Sequence, residues 1–242
     1  MRALSRMLRA VLTAALLAAI VLFAWGLLHR PAQDLPWTPL DLGEPPGQFT
    51  GARLTALARQ GAECRRLLTR AGVRFAALPP RHEGQCGYSD AVRFKSGGAL
   101  GIALAPAGVG MACPVAAGLA MWEWNVVQPA AQARFGSAVV TIDHFGSYNC
   151  RRIRGSDSRH WSEHATANAI DIAGFRLADG TRITVARDWR SDGKKAAFLH
   201  DVRRGACDVF ATVLSPDYNA AHADHLHLDQ ATRGGAGWRA CR

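Results

Sequence analysis

From Ala10 to Leu28 the chain runs nineteen residues without a charge. That is about what a bilayer core of roughly 30 Å requires, and in lipid every backbone amide must be bonded within the segment, so only a helix fits. Arg2, Arg6 and Arg9 precede the run, and His29 and Arg30 close it. A cleaved signal peptide has a shorter apolar stretch, about 7–15 residues, and small residues at its exit. Here Phe23-Ala24-Trp25-Gly26-Leu27-Leu28 puts bulky groups at that point, which favours a retained anchor over a cleaved signal. The leading arginines place the N-terminus in the cytoplasm. The expectation is a single-pass inner-membrane protein with everything after Arg30 in the periplasm.

An exported chain folds under oxidising conditions, and this one has six dispersed cysteines: Cys64, Cys86, Cys113, Cys150, Cys207 and Cys241. An even number in that setting reads as disulfide staples. No two form a Cys-x-x-Cys pair, which argues against a zinc knuckle or a thioredoxin-type site. Pairing in chain order, 64 with 86, 113 with 150 and 207 with 241, is the simplest arrangement. The formal charge is +10; with the four arginines before residue 31 set aside, +6 remains. A basic face can mean nucleic acid, but outside the cytoplasm anionic lipid or cell-wall polymer is the better partner, or no specific partner at all.

Residues 31–49, with five prolines, read as a semi-extended spacer after the stub and anchor of residues 1–30, leaving 50–242 as one domain. Thr50 is a candidate cap for a helix through Leu54, Leu57, Cys64, Leu67 and Leu68, ended by Gly72 and followed by a strand to Leu78. Pro114 to Phe135 reads as a long helix broken or bent at Pro129. Its Trp122 and Trp124 fit a core stripe better than a sugar-stacking surface. Asp179-Gly180 between Ala169–Leu177 and Thr181–Ala186 is a hairpin signal, and 191–207 is helical in composition. Helices mixed with antiparallel hairpins, without repeating βαβ units, predict an α+β fold with a small antiparallel sheet, flanking helices and disulfide staples.

Chemistry concentrates in two clusters, Ser162-Glu163-His164 with Asp171 and His222-Ala223-Asp224-His225-Leu226-His227, which hold four of the nine histidines. Imidazole and carboxylate are the usual nitrogen and oxygen ligands of Zn²⁺, and a catalytic zinc takes about three, leaving one position open. On a strand alternate side chains share a face, so His225 and His227 point into one site. His164 and Asp171 are joined by small residues that let the backbone fold back. On a helix, positions seven apart would stand roughly 10 Å apart along the axis.

Ser162-x-His164-x₆-Asp171 with a later His225-x-His227 resembles the zinc peptidases of the D-alanyl-D-alanine carboxypeptidase/lysostaphin/hedgehog fold, and His222-x₂-His225-x-His227 is similar to their murein endopeptidase branch. The wider chain resembles the bacterial extensin-like C-terminal domain family, from about Leu35 onward. That likeness rests on Asp34-Leu35-Pro36-Trp37, Cys86-Gly87-Tyr88, Gly146-Ser147-Tyr148-Asn149-Cys150-Arg151, Ser162-Glu163-His164, Ala169 to Phe175 and His225-Leu226-His227. The peptidase resemblance implies His164, Asp171 and His227 as zinc ligands and His225 as an unliganded neighbour that donates to an oxyanion or moves a proton. It implies a zinc that acidifies water and polarises a peptide carbonyl. Two departures stand out. Ala167 occupies a position that is usually glycine, and the glutamate base that often precedes the His-x-His segment is missing, so Asp224 or His222 would serve.

Among Arg151, Arg152, Arg154 and Arg159, Arg151 sits in the family-like segment and is the candidate for an oxyanion or a substrate carboxylate. Ser162 lacks a nucleophile elbow and reads as a loop or ligand orienter. The leading expectation is a membrane-tethered periplasmic zinc peptidase acting on peptidoglycan peptides. A non-catalytic metal-containing wall-binding domain and a substrate-free metal binder are the other readings.

Overall fold

The computed structural model describes residues 2–28, 30–153, 160–233 and 239–242. Arg154 and Arg159 lie outside the described residues. Arg2–Leu28 is one helix, and its span from Leu4 to Leu27 is long and apolar enough to cross a membrane. A signal sequence has the same features.

The rest is α+β, as the mixture of patterns predicts. The central sheet has seven strands, most of them antiparallel. Its path runs Ala240–Cys241, Thr212–Leu214, Leu226–Asp229, Ala169–Leu177, Val139–Gly146, Ala103–Ala105, with Arg182–Thr184 also paired to Ala169–Leu177. The Asp-Gly hairpin thus forms, but only along Gly174 to Arg176. The first half of the same strand is left to Leu226–Asp229, which sets His227 directly opposite Asp171. A second sheet of three strands joins Val73–Ala77, Ala91–Gly98 and Met111–Ala112.

Every residue of the helix Cys113–Trp122 is buried. It is apolar on all sides, as a helix enclosed by protein must be. Small side chains admit its neighbours: a Cβ on Gly118 would stand 2.9 Å from Gln230 Nε2 and 3.1 Å from the Phe210 ring. Trp122 packs on Phe175 at 5.9 Å between ring centroids, and Phe175 on Phe198 at 5.0 Å. The indole N–H of Trp122 donates to Val202 O, and that of Trp124 to Ala99 O. Both tryptophans serve packing.

Four expectations need correction. The helix predicted from Thr50 is two, Thr50–Ala56 and Gly61–Arg70; Thr50 Oγ1 accepts from the preceding Gly47 N–H rather than capping a helix N–H. The helical backbone continues through Pro129, but the turn before it, Glu123–Val127, widens into a π turn, and Pro129 becomes the second residue of the segment Gln128–Phe135. A proline inside a helix removes one hydrogen bond and crowds the preceding turn, and a wider turn relieves both. The proline-rich stretch is packed rather than free along part of its length: Leu40, Leu42 and Gln33 are buried, and Arg53 donates to Gln33 Oε1 and Leu35 O. Lastly, the disulfides join Cys64 to Cys113, Cys86 to Cys150 and Cys207 to Cys241. Chain order holds only for the third. The other two are set by which elements pack together, with the helices Gly61–Arg70 and Cys113–Trp122 in contact.

Candidate metal centre

His164 lies in a short 3₁₀ turn, Glu163–Thr166, immediately before the strand that carries Asp171. Ser162 caps that turn, its hydroxyl accepting from the His164 N–H, so its role is to shape the loop. The turn ends at Ala167, which has φ 55° and is the only non-glycine with positive φ among the described residues. Alanine here adopts the left-handed backbone that glycine would take. The conformation costs a non-glycine residue roughly 1 kcal/mol and is held by neighbours: Ala167 O accepts from Ala112 N–H and from Ser147 Oγ. The departure from glycine therefore leaves the loop closed.

Three ring or carboxylate atoms converge. His164 Nε2 stands 3.1 Å from Asp171 Oδ1 and 3.1 Å from His227 Nδ1, and His227 Nδ1 is 2.9 Å from Asp171 Oδ1. Four ligand atoms at about 2.05 Å around a tetrahedral zinc would lie about 3.3 Å apart, close to these edges. The far sides of both rings are occupied. His164 Nδ1 is 2.6 Å from the Ser147 carbonyl oxygen, and His227 Nε2 is 3.1 Å from Asp229 Oδ2. A carbonyl only accepts, so His164 Nδ1 donates and Nε2 turns a lone pair inward. A proton on His227 Nε2, given to Asp229, does the same for His227 Nδ1. Two lone pairs and a carboxylate oxygen then face one another across about 3 Å, a set of donors that suits a cation between them.

The electrostatics agree. Burial disfavours ionised Asp171, yet the adjoining His164 and His227 rings, when protonated, outweigh it and hold the carboxyl well below the usual range. Burial likewise disfavours charged His227, but Asp171 and Asp229 raise it to about 9. A second proton on His227, on Nδ1, would occupy the place a metal would take.

The other predicted residues surround this triangle. His225 Nδ1 is 2.8 Å from Asp224 Oδ1, and its Nε2 is 3.5 Å from Asp171 Oδ1, outside the three-atom cluster but beside it. His222 pairs through Nδ1 with Asn219 Oδ1 at 2.7 Å, and its ring lies 5.2 Å from that of His225 and 5.9 Å from that of His227. Burial first, then the neighbouring histidines, lower His222 to about 4. Asp224 is exposed, with its carboxylate engaged by His225. Arg151 lines the same cleft, an open depression of 1010 Å³ whose walls include Phe145, Trp161 and Tyr218.

The sequence reading missed three participants. Ser147 orients His164 through its carbonyl, and backbone carbonyls leave no trace in a residue pattern. Glu163 lines the cleft half-buried, accepting from the Asn168 amide, with its carboxyl raised chiefly by burial. Asp229 could have been found, because His225, His227 and Asp229 alternate along one strand face.

No curated protein and no solved structure matches the chain, so the likeness to zinc peptidases rests on the motif residues alone. One family does match, that described as extensin-like protein C-terminus, over residues 62–242. The match begins later than the expected Leu35, but it takes in all three disulfides and every residue of the candidate metal centre. With well over half of its length matched, the chain belongs to the extensin-like protein C-terminus family.

Proposed function

We propose that this protein is a membrane-tethered, periplasmic zinc-dependent peptidase acting on peptidoglycan peptides. The observation that carries the metal is the convergence of His164 Nε2, Asp171 Oδ1 and His227 Nδ1 within 3.1 Å, with both rings pinned from behind. Two nitrogens and one oxygen are a donor set that suits zinc, and a triangle open to a cleft leaves room for a substrate. Zinc held there would polarise a peptide carbonyl and acidify water. His225 lies next to the cluster with Nδ1 tied to Asp224, which aims Nε2 into the site for proton transfer. His222, its Nδ1 held by Asn219, keeps Nε2 free to accept a proton, whereas the Asp224 carboxylate is already engaged. Of the two candidate bases, His222 is therefore the better placed. Arg151 on the cleft wall supplies a fixed positive charge for a substrate carboxylate or a developing oxyanion.

The test uses the purified full chain in detergent, with zinc content measured by elemental analysis and release of muropeptides from peptidoglycan sacculi followed by chromatography. Stoichiometric zinc and release by the wild type, both lost in Asp171→Ala, are expected. Stoichiometric zinc without release from any peptidoglycan refutes the peptidase reading. That outcome favours a second one, a metal-containing wall-binding domain, which the absence of a glutamate before His225 and the engagement of Asp224 support.

A further inference from the structure

Behind the metal centre stands a carboxylate to which neither the motif nor the family match gives a role. Asp229 is almost fully buried, and its two oxygens are committed to different partners: Oδ2 faces His227 Nε2 at 3.1 Å, and Oδ1 accepts the Ala231 N–H at 3.0 Å. Its backbone is fixed as well, lying opposite Ala169 on one side and Thr212 on the other. Among the described residues the nearest cation besides His227 is Arg233, whose Nη2 is 4.0 Å away and donates at 2.7 Å to Thr212 Oγ1 instead.

From this geometry we infer that Asp229 is the positioning residue of the metal centre: it keeps the His227 proton on Nε2, so that Nδ1 presents a lone pair beside Asp171 and His164. The inference rests on the metal reading above. Outer-sphere carboxylates commonly fix the tautomer and orientation of a ligating imidazole, and removing one typically costs about 10–100-fold in metal affinity. What this structure adds is the second bond, to Ala231, because it dictates which substitution does most harm.

In Asp229→Asn the side chain keeps its shape. Its single oxygen stays on the buried Ala231 N–H, since a flip would set the amide NH₂ against that donor. The NH₂ then faces His227 Nε2 and donates to it, which forces the imidazole proton onto Nδ1, directly into the metal position. An Asp→Asn change that preserves geometry but enforces the wrong histidine tautomer is a known way to disable a site. Asp229→Ala loses the Ala231 contact too, yet leaves His227 free to carry its proton on either nitrogen. The more conservative variant is therefore the more damaging one, whereas a purely structural role for Asp229 predicts the opposite order.

The experiment measures zinc affinity of the detergent-solubilised full chain by competition with a chromophoric chelator, for wild type, Asp229→Ala and Asp229→Asn, at pH 9.5, above the point near 9 where His227 gives up its second proton. Long-range ¹H–¹⁵N correlations of the metal-free protein at the same pH report the His227 tautomer. Affinity falling about tenfold in Asp229→Ala and about a hundredfold in Asp229→Asn, with an Nδ1–H signal in the latter, is the expected result. Asn binding zinc as tightly as wild type, or Ala binding more weakly than Asn, overturns the inference while leaving the metal reading intact. A wild type that takes up no zinc overturns both.

Discussion

If zinc is held as proposed, a proton on His227 competes for its place, and uptake of the metal becomes pH-dependent over an unusual range. An ordinary histidine has a pKa near 6.5 and offers little proton competition above pH 7. His227, held by Asp171 and Asp229, is raised to about 9. At pH 7 zinc must therefore displace a proton bound about two units more tightly than the solution favours. At 1.36 kcal/mol per unit that costs about 2.7 kcal/mol, or roughly a hundredfold in apparent affinity. Apparent zinc affinity should rise about tenfold per pH unit between 7 and 9, then level off. Without zinc the sign reverses. A raised histidine pKa contributes stability that is fully present below about 6.5 and is lost as pH climbs through about 9, while the depressed Asp171 contributes above the ordinary carboxylate range and loses its contribution in acid. Chelator-treated protein should thus melt highest between about pH 5 and 6.5 and progressively lower towards pH 9, and zinc should remove that decline. The assay is chelator competition, corrected for the chelator's own protonation, with thermal melts of metal-free and zinc-loaded protein across the same range. Zinc affinity already flat above pH 7, or metal-free melting temperatures unchanged from pH 6.5 to 9, would refute the reasoning.

Trp122→Ala removes a fully buried indole that packs on Phe175 and bonds Val202 O; a loss of about 3–5 kcal/mol in urea unfolding is expected, with zinc stoichiometry retained in the folded fraction. Ala167→Gly exchanges a strained left-handed alanine for the residue that adopts this backbone freely. Calorimetry should find the variant within about 1 kcal/mol of wild type, with no loss of zinc; a loss of 2 kcal/mol or more would show that the loop is not under the strain inferred. Peptide mapping without reduction should recover 64–113, 86–150 and 207–241. Replacing Cys86 and Cys150 together by alanine, which opens a link across 64 residues, should cost about 4 kcal/mol on the loop-entropy estimate.

The parts of the fold that could be read from the chain are those governed by neighbouring residues. The charge-free run Ala10–Leu28 marks most of the helix Arg2–Leu28, Asp179-Gly180 marks a hairpin, and alternation puts His225 and His227 on one face. Breaks inside helices were less legible: the interruption at Gln60 and the π turn before Pro129 fall within stretches whose apolar spacing runs on unbroken. The packing of part of residues 31–49 was hidden as well: Leu40 and Leu42 look isolated among prolines, yet a core within reach buries them.

What the amino-acid sequence determined by itself is the inventory: an apolar helix, six cysteines and a set of imidazoles and carboxylates of the kind that suits zinc. Which of these meet was decided only by the tertiary structure. The pairing of Cys64 with Cys113, the placement of His227 opposite Asp171 and the pinning of His164 by the Ser147 carbonyl all join positions far apart in the chain. Such contacts depend on sheet register and helix packing, where one residue of slip would turn His227 and Asp229 to the other face of the sheet and dissolve the centre.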